Sequence, residues 1–233
     1  MRRKKKLPKY ILQKSGPLHG EVKIGGAKNA ALPVMAATLL TDAPCQLSHV
    51  PDLSDIRIMQ DLLKSFGCQV GLLEQGGLLI ETGKLKNSIT PYELVSKMRA
   101  SFLVMGPLLA RKGKTRVSLP GGCAIGTRPV DLHLKGFQAM GAKISQGHGF
   151  VEARAKELHG ANIYLDFPSV GATENILMAA TLAEGETVIE NAATEPEIID
   201  LALFLTGMGA KIEGAGTDTI HIIGVPELSG AAH

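Results

Sequence analysis

The sequence predicts an α/β fold, a closed domain of three pseudo-symmetric units with a buried helix in each and sheets outside. Three observations predict it. A Gly-Ala/Cys-x-Val/Ile pattern recurs at Gly67, Gly141 and Gly209, 74 and 68 residues apart. Each of these glycines follows a stretch of helical period, over 55–66, 129–140 and 196–208. Upstream in each unit lies a second helical stretch, over 27–40, 99–110 and 172–183, rich in small residues and nearly apolar all round. A helix without a polar face belongs in an interior, and internal repetition controls the fold assignment before any local detail.

In the first unit, Ala-Ala-Leu-Pro-Val-Met-Ala-Ala forms the buried helix and 45–50 the strand after it. Ile56, Met59, Leu62 and Leu63 then share one face of the second helix. Gly67 ends that helix as a C′ residue of positive φ would. The second unit repeats the order with Ser-Phe-Leu-Val-Met-Gly-Pro-Leu-Leu-Ala, a strand over 115–119, and Gly141. In the third, Asn-Ile-Leu-Met-Ala-Ala-Thr-Leu-Ala precedes a strand over 186–190, and 211–213 with 219–223 read as a hairpin around Gly214-Ala215-Gly216-Thr217-Asp218. Each unit therefore reads helix, strand, helix, strand, strand.

Composition narrows the class. Hydrophobic residues make up 45% of the 233 positions but aromatics only 4%, with no Trp, so the core is aliphatic. Three cysteines without regular spacing argue against a disulfide framework and for a reducing cytoplasm. Cys45 and Cys68 border apolar strand-like runs and read as core. The formal charge of +3 is misleading, because seven of the 25 basic residues fall within the first 14 positions. The remaining 18 against 22 acidic residues leave a mildly acidic body, which argues against general nucleic-acid binding. The basic head, residues 1–9, is broken by Leu7-Pro8-Lys9-Tyr10 before any apolar region and reads as a solvated tail rather than a secretion signal. No apolar run approaches the ~18 residues of a membrane span. The seven histidines are scattered without metal-ligand spacing, and neither a metal nor a cofactor is implied.

Chemistry concentrates around Cys123, in Ser118-Leu119-Pro120-Gly121-Gly122-Cys123-Ala124-Ile125-Gly126-Thr127-Arg128-Pro129. A thiol among glycines with a guanidinium five residues on has the surroundings of a reactive cysteine rather than a structural one. Lys28 is a lone cation at an apolar helix start, where an anion would suit both it and the helix N-terminus.

Longer motifs carry a resemblance. Gly25-Gly26-Ala27-Lys28-Asn29-Ala30-Ala31-Leu32-Pro33, Met98-Arg99-Ala100-Ser101, the 119–131 loop, Pro168-Ser169-Val170-Gly171-Ala172-Thr173 and Glu190-Asn191-Ala192-Ala193-x-Glu195-Pro196-Glu197 together resemble the enolpyruvyl transferases. The resemblance runs over about residues 10–230 and implies an inside-out α/β barrel domain of three βαβαββ repeats. It further implies a division into a basic tail (1–9), a strand region belonging to a second domain (10–24), the three-repeat domain with the Cys loop (25–229) and the start of the second domain (230–233). The matching branch of the family transfers the enolpyruvyl group of phosphoenolpyruvate to the 3-hydroxyl of UDP-N-acetylglucosamine, the first committed step of peptidoglycan synthesis, by addition and elimination. A truncated nucleotide-sugar binding domain and a 3-phosphoshikimate relative are the alternatives; the second lacks the Cys loop. An exposed apolar domain face would favour self-association.

By the same resemblance, Cys123 is the general acid toward the phosphoenolpyruvate methylene and the target of an epoxide phosphonate such as fosfomycin. Arg128 engages phosphate or carboxylate, or else forms a surface ion pair. Lys28 contacts phosphoenolpyruvate. Asn29 contacts the sugar nucleotide or merely caps a helix. Arg99 meets an anion in the cleft or an interdomain carboxylate. Arg128, Pro129, Val130, Asp131 and Leu132, with His133 beyond, resemble the uridine loop. Phe167, Pro168, Ser169 and Val170 resemble a second nucleotide-contacting stretch whose helix N-terminus suits a diphosphate. Glu195 and Glu197 either tune the cleft or serve as helix N-terminal acids.

Overall fold

The computed structural model describes residues 9–73, 76–96, 98–119, 130–147 and 149–233. The three units follow the expected order. The first has α1 (Lys28–Ala37) with a 3-10 turn at Thr38–Leu40, β1 (Cys45–Leu47), α2 (Ser54–Ser65), β2 (Gln69–Leu72) and β3 (Leu78–Glu81), followed by the short α3 (Tyr92–Val95). The second has a 3-10 segment (Arg99–Val104), α4 (Met105–Lys112), β4 (Lys114–Ser118), α5 (Asp131–Ala139), β5 (Lys143–Gly147) and β6 (Phe150–Arg154). The third has β7 (Asn162–Tyr164), α6 (Val170–Ala180), β8 (Glu186–Glu190), α7 (Pro196–Gly207), β9 (Lys211–Glu213) and β10 (Thr219–Ile223).

One expected helix is split. The 99–110 stretch winds as 3-10 until Val104 and becomes α-helical only from Met105. Pro107 stands in the first turn of α4, where its missing N–H costs nothing. Extending the α-helix backward would drive its ring against the carbonyl four residues earlier, so the preceding residues take the tighter winding.

The sheets repeat as the helices do. Their orders are β1-β3-β2, β4-β6-β5 and β7-β8-β10-β9. β3, β6 and β10 each pair antiparallel with two strands, with Ile80 opposite Cys45, Val151 opposite Val117 and Ile220 opposite Ile189. Alternate residues of these strands point inward, as the two-residue period demands: Leu78 and Ile80, Val151 and Ala153, Ile220 and Ile222 are all buried.

A parallel neighbour closes each sheet, and it comes from the segment that follows the preceding unit's last strand. Ile89 bridges Arg116 of β4, β7 pairs parallel with β8, and Ala232 bridges Gln46 of β1. The last of these joins the third unit to the first, with Gln46 N–H donating to Ala231 O at 2.9 Å and His233 N–H to Gln46 O at 2.9 Å. The three units thus form a closed cycle.

At the centre, residues 32–37 of α1, 105–109 of α4 and 172–180 of α6 are buried on every side. The outer helices present one face only; in α2 the buried residues are Ile56, Met59, Leu62 and Leu63. Gly67, Gly141 and Gly209 have φ of +103°, +92° and +104°, as helix-ending residues of this kind require. The residue before each glycine (Phe66, Met140, Met208) and the one after it (Cys68, Ala142, Ala210) are buried. Cys68 therefore fills a position that takes alanine in the other two units, and Cys45 is fully buried in β1. Residues 9–24 form no strand pairing, and Tyr10, Ile11, Leu12, Leu18, Val22 and Ile24 are almost wholly exposed. No helix among the described residues is long and apolar enough to cross a membrane.

Candidate functional site

Two cavities meet at the N-terminus of α1, sharing Asn29 and Glu197 in their walls. The smaller, about 530 Å³, lies where α1, α5, α6 and the 3-10 segment come together. Around it stand Asn29, Val130, Phe167, Pro168, Ser169 and Val170, all singled out from the sequence, together with His133, Glu174 and Glu197. Leu32, Pro33, Phe102 and Leu103 supply an apolar wall.

Ser169 opens α6. Its backbone is extended (φ −122°, ψ 111°), and its Oγ accepts from Ala172 N–H at 3.4 Å. That hydroxyl, the first-turn amides and the helix dipole present positive potential at the cavity mouth, a setting suited to an anion.

One turn deeper, Asn175 orients His133. Gly106 N–H donates to Asn175 Oδ1 at 2.7 Å, and Asn175 Nδ2 donates to Phe102 O at 2.9 Å. These backbone partners fix which end of the amide is nitrogen. Asn175 Nδ2, 3.0 Å from His133 Nδ1, must therefore be the donor there, and Nδ1 the acceptor. The neutral ring then carries its proton on Nε2, and the edge of Phe102 holds the ring with centroids 5.1 Å apart. His133 Cε1 and Nε2 pass so close to Gly171 that a Cβ there would lie 3.3 and 3.5 Å from them.

Glu174 is the electrostatic anomaly of the site. It is 4% exposed, and among the described residues its carboxyl has neither a hydrogen-bond partner nor an ion pair. Burial chiefly, and then the nearby Glu197 and Glu195 carboxylates, push its pKa up to about 8. Desolvation and like charge both disfavour the ionised form.

Lys28 borders the larger cavity, about 890 Å³, with Asn29, Ser48, His49, Glu197, Asp200 and His233 among its neighbours. Its Nζ lies 2.8 Å from Asp55 Oδ2 at the start of α2, a half-exposed pair that the sequence does not reveal. An exposed pair of this kind contributes at most about 1 kcal/mol, so an arriving anion can compete for the ammonium. At the far side His233 Nε2 meets Asp200 Oδ1 at 3.0 Å.

Several expectations are refined. Asn29 is not a helix cap: Ala27 holds that position, and no side chain caps α1. Glu195 is the residue before α7, yet makes no side-chain cap bond, while Glu197 sits in its first turn. Leu132 is buried at the start of α5 beside Asp131, so it can offer a ligand only its backbone. Arg99 opens the 3-10 segment, but its side chain lies outside the described residues, as do Cys123, Arg128 and Pro129. Glu174, Asn175 and Asp55 escaped the sequence reading. For the first two the signal is a pair of polar residues opening an otherwise apolar helical run. Among the described residues no cluster of three or more His, Cys, Asp or Glu has the geometry to hold a metal.

Residues 12–233 match the EPSP synthase (3-phosphoshikimate 1-carboxyvinyltransferase) family. The chain belongs to that family. Within it, curated relatives include UDP-N-acetylglucosamine 1-carboxyvinyltransferase 2 of Carboxydothermus hydrogenoformans, 60% identical over 97% of this chain and 54% of the relative. UDP-N-acetylglucosamine 1-carboxyvinyltransferase 1 of Caldanaerobacter subterraneus subsp. tengcongensis is 61% identical over the same shares. The chain thus spans about half the length of the curated relatives it matches. Among solved structures, the enolpyruvyl transferase NikO from Streptomyces tendae superposes with a TM-score of 0.81 at 21% identity, over 93% of this chain and 51% of NikO. EPSP synthase from Acinetobacter baumannii gives 0.72 at 19%, over 91% and 48%. At such identities the likeness establishes the fold, that of the enolpyruvyl transferases.

Proposed function

We propose that this chain carries one wall of an active site that transfers the enolpyruvyl group of phosphoenolpyruvate to the 3-hydroxyl of UDP-N-acetylglucosamine. The observation that carries this reading is the 60% identity, across 97% of the chain, to a relative named for that reaction. The smaller cavity supports it, with an anion-attracting helix N-terminus at Ser169, a polar floor and an apolar wall of a size suited to a nucleotide-sugar.

In this reading a general base takes the proton of the sugar 3-hydroxyl as its oxygen adds to C2 of phosphoenolpyruvate, while the Cys123 thiol gives its proton to C3 as general acid and becomes a thiolate. The tetrahedral adduct then loses phosphate from C2 and returns a C3 proton to the thiolate, leaving the enol ether. Lys28, released from Asp55, and Arg128 neutralise phosphate and carboxylate. Asn29, with Val130 to Leu132 and Phe167 to Val170, positions the nucleotide-sugar, and Arg99 adds a cation in the cleft. On this reading the protein works in the cytoplasm.

The test is phosphate release from phosphoenolpyruvate, dependent on UDP-N-acetylglucosamine, with this chain and with Cys123→Ala. Release lost in the variant supports the reading; release that persists removes Cys123 from its role. A second reading is a nucleotide-sugar binding domain without activity of its own. It predicts UDP-N-acetylglucosamine binding without release.

A further inference from the structure

Glu174 has no assigned task in that reaction, yet its surroundings are specific. It follows Val170 by four residues and Gly171 by three, so all three share the face of α6 that lines the smaller cavity. Side chains on a helix lean toward its N-terminus, which aims the carboxyl back at the cavity mouth. It stands roughly 7 Å along the helix axis from Ser169, the reach of a hexose attached to a phosphate held at the N-terminus. Leu32, Pro33, Phe102 and Leu103 line the same cavity.

We propose that Glu174 is a ligand-positioning residue that holds a proton and donates it, in a hydrogen bond, to the amide carbonyl of an acetamido sugar. This rests on the nucleotide-sugar reading above. An ionised, unpartnered carboxylate at 4% exposure would carry an uncompensated charge, whereas the acid form needs only an acceptor. An amide carbonyl is the strongest neutral acceptor such a sugar offers, and the acetamido methyl fits the apolar wall. A sugar with a plain hydroxyl in that place offers a weaker acceptor and no methyl for the apolar wall.

The groups around Glu174 favour the protonated state. Glu195 and Glu197 face it from the start of α7, and both raise its pKa, which stands at about 8. From α5, His133 shares the cavity but is held with Nδ1 as an acceptor toward Asn175. The 3-10 segment begins with Arg99, and α4 bears titratable groups only at its far end, where Arg111 pairs with Asp42. On β8 and β10, Glu186 and His221 pair with each other on the exposed face.

The test is the affinity of this chain for UDP-N-acetylglucosamine and for UDP-glucose by calorimetry between pH 6.5 and 9, for the wild type and Glu174→Gln. A donor with pKa near 8 weakens acetamido-sugar binding about tenfold across that range. The uracil of both ligands titrates alike, so the readout is the ratio of the two affinities. In the wild type the preference for the acetamido sugar should fall with pH. Glutamine keeps a donor that does not titrate, so the variant should keep the preference and lose its pH dependence. A ratio flat in the wild type, or equally pH-dependent in the variant, overturns the role of Glu174 and leaves the function reading intact. Failure of the wild type to bind either nucleotide at any pH overturns the function reading, and this inference with it. Carbon-13 titration of the wild-type glutamate carboxyls, with Glu174 identified by its loss in the variant, gives an independent check. A Glu174 titrating in the ordinary carboxylate range overturns the proposal regardless of binding.

Discussion

Asn175 Oδ1 lies 2.7 Å from the backbone nitrogen of Gly106, joining two of the central helices through a side chain where backbones cross too closely for any other residue. A Cβ at position 106 would stand 2.3 Å from the Asn175 carbonyl oxygen and 2.6 Å from its Oδ1. This contact locks α4 to α6, fixes the Asn175 amide, and through it orients His133 in the cavity.

Gly106→Ala should therefore force the two helices apart. The obstacle is backbone, not the flexible end of a side chain, so we expect a loss of about 2 kcal/mol or more in denaturant unfolding. A loss under about 0.5 kcal/mol, ordinary for a surface change, would show that the helices have room.

His133 should be found as the Nε2–H tautomer in nitrogen-15 spectra at neutral pH. Asn175→Asp replaces the amide donor with an acceptor, and should move the ring toward a form protonated on Nδ1. An Nδ1–H tautomer in the wild type would contradict the assigned amide orientation.

Glu174 should make stability depend on pH in the direction opposite to most carboxylates. Its pKa is raised on folding, from 4.5 to about 8, so the folded chain holds the proton that the unfolded chain releases in between. Stability is full below about pH 4.5 and falls as pH rises toward 8, by an amount on the order of a few kcal/mol. Glu174→Gln should flatten this slope in melts across that range. A wild-type slope matching that of the variant would count against the buried acid.

Cys45 and Cys68 should resist alkylation in the native state, because burial raises both thiols above their usual pKa. One fast-reacting thiol per chain is expected, lost in Cys123→Ser; comparable labelling of either buried cysteine would refute it. Cys68→Ala should cost no more than about 1 kcal/mol, since Ala142 and Ala210 hold the same place in the other units.

What the sequence determined alone is the repeating grammar: three glycines at matched positions, three outer helices with one apolar face, and three inner helices apolar all round. Those patterns are local, because a period of 3.6 residues or a positive φ is written in neighbouring side chains, and the hairpin of 211–213 with 219–223 was legible for the same reason. The motif residues of the site were legible too, and Asn29, Val130, Phe167, Pro168, Ser169 and Val170 lie around one cavity.

Only the tertiary structure decided the rest. It split the second inner helix at Pro107, paired Lys28 with Asp55, and laid residues 231–233 against β1 to close the cycle. It also turned Glu174 from an unremarked acid into a buried one whose ionised form is disfavoured. Each of these depends on groups distant in the chain meeting in space, and the cost of desolvating a carboxyl exists only once its surroundings are assembled.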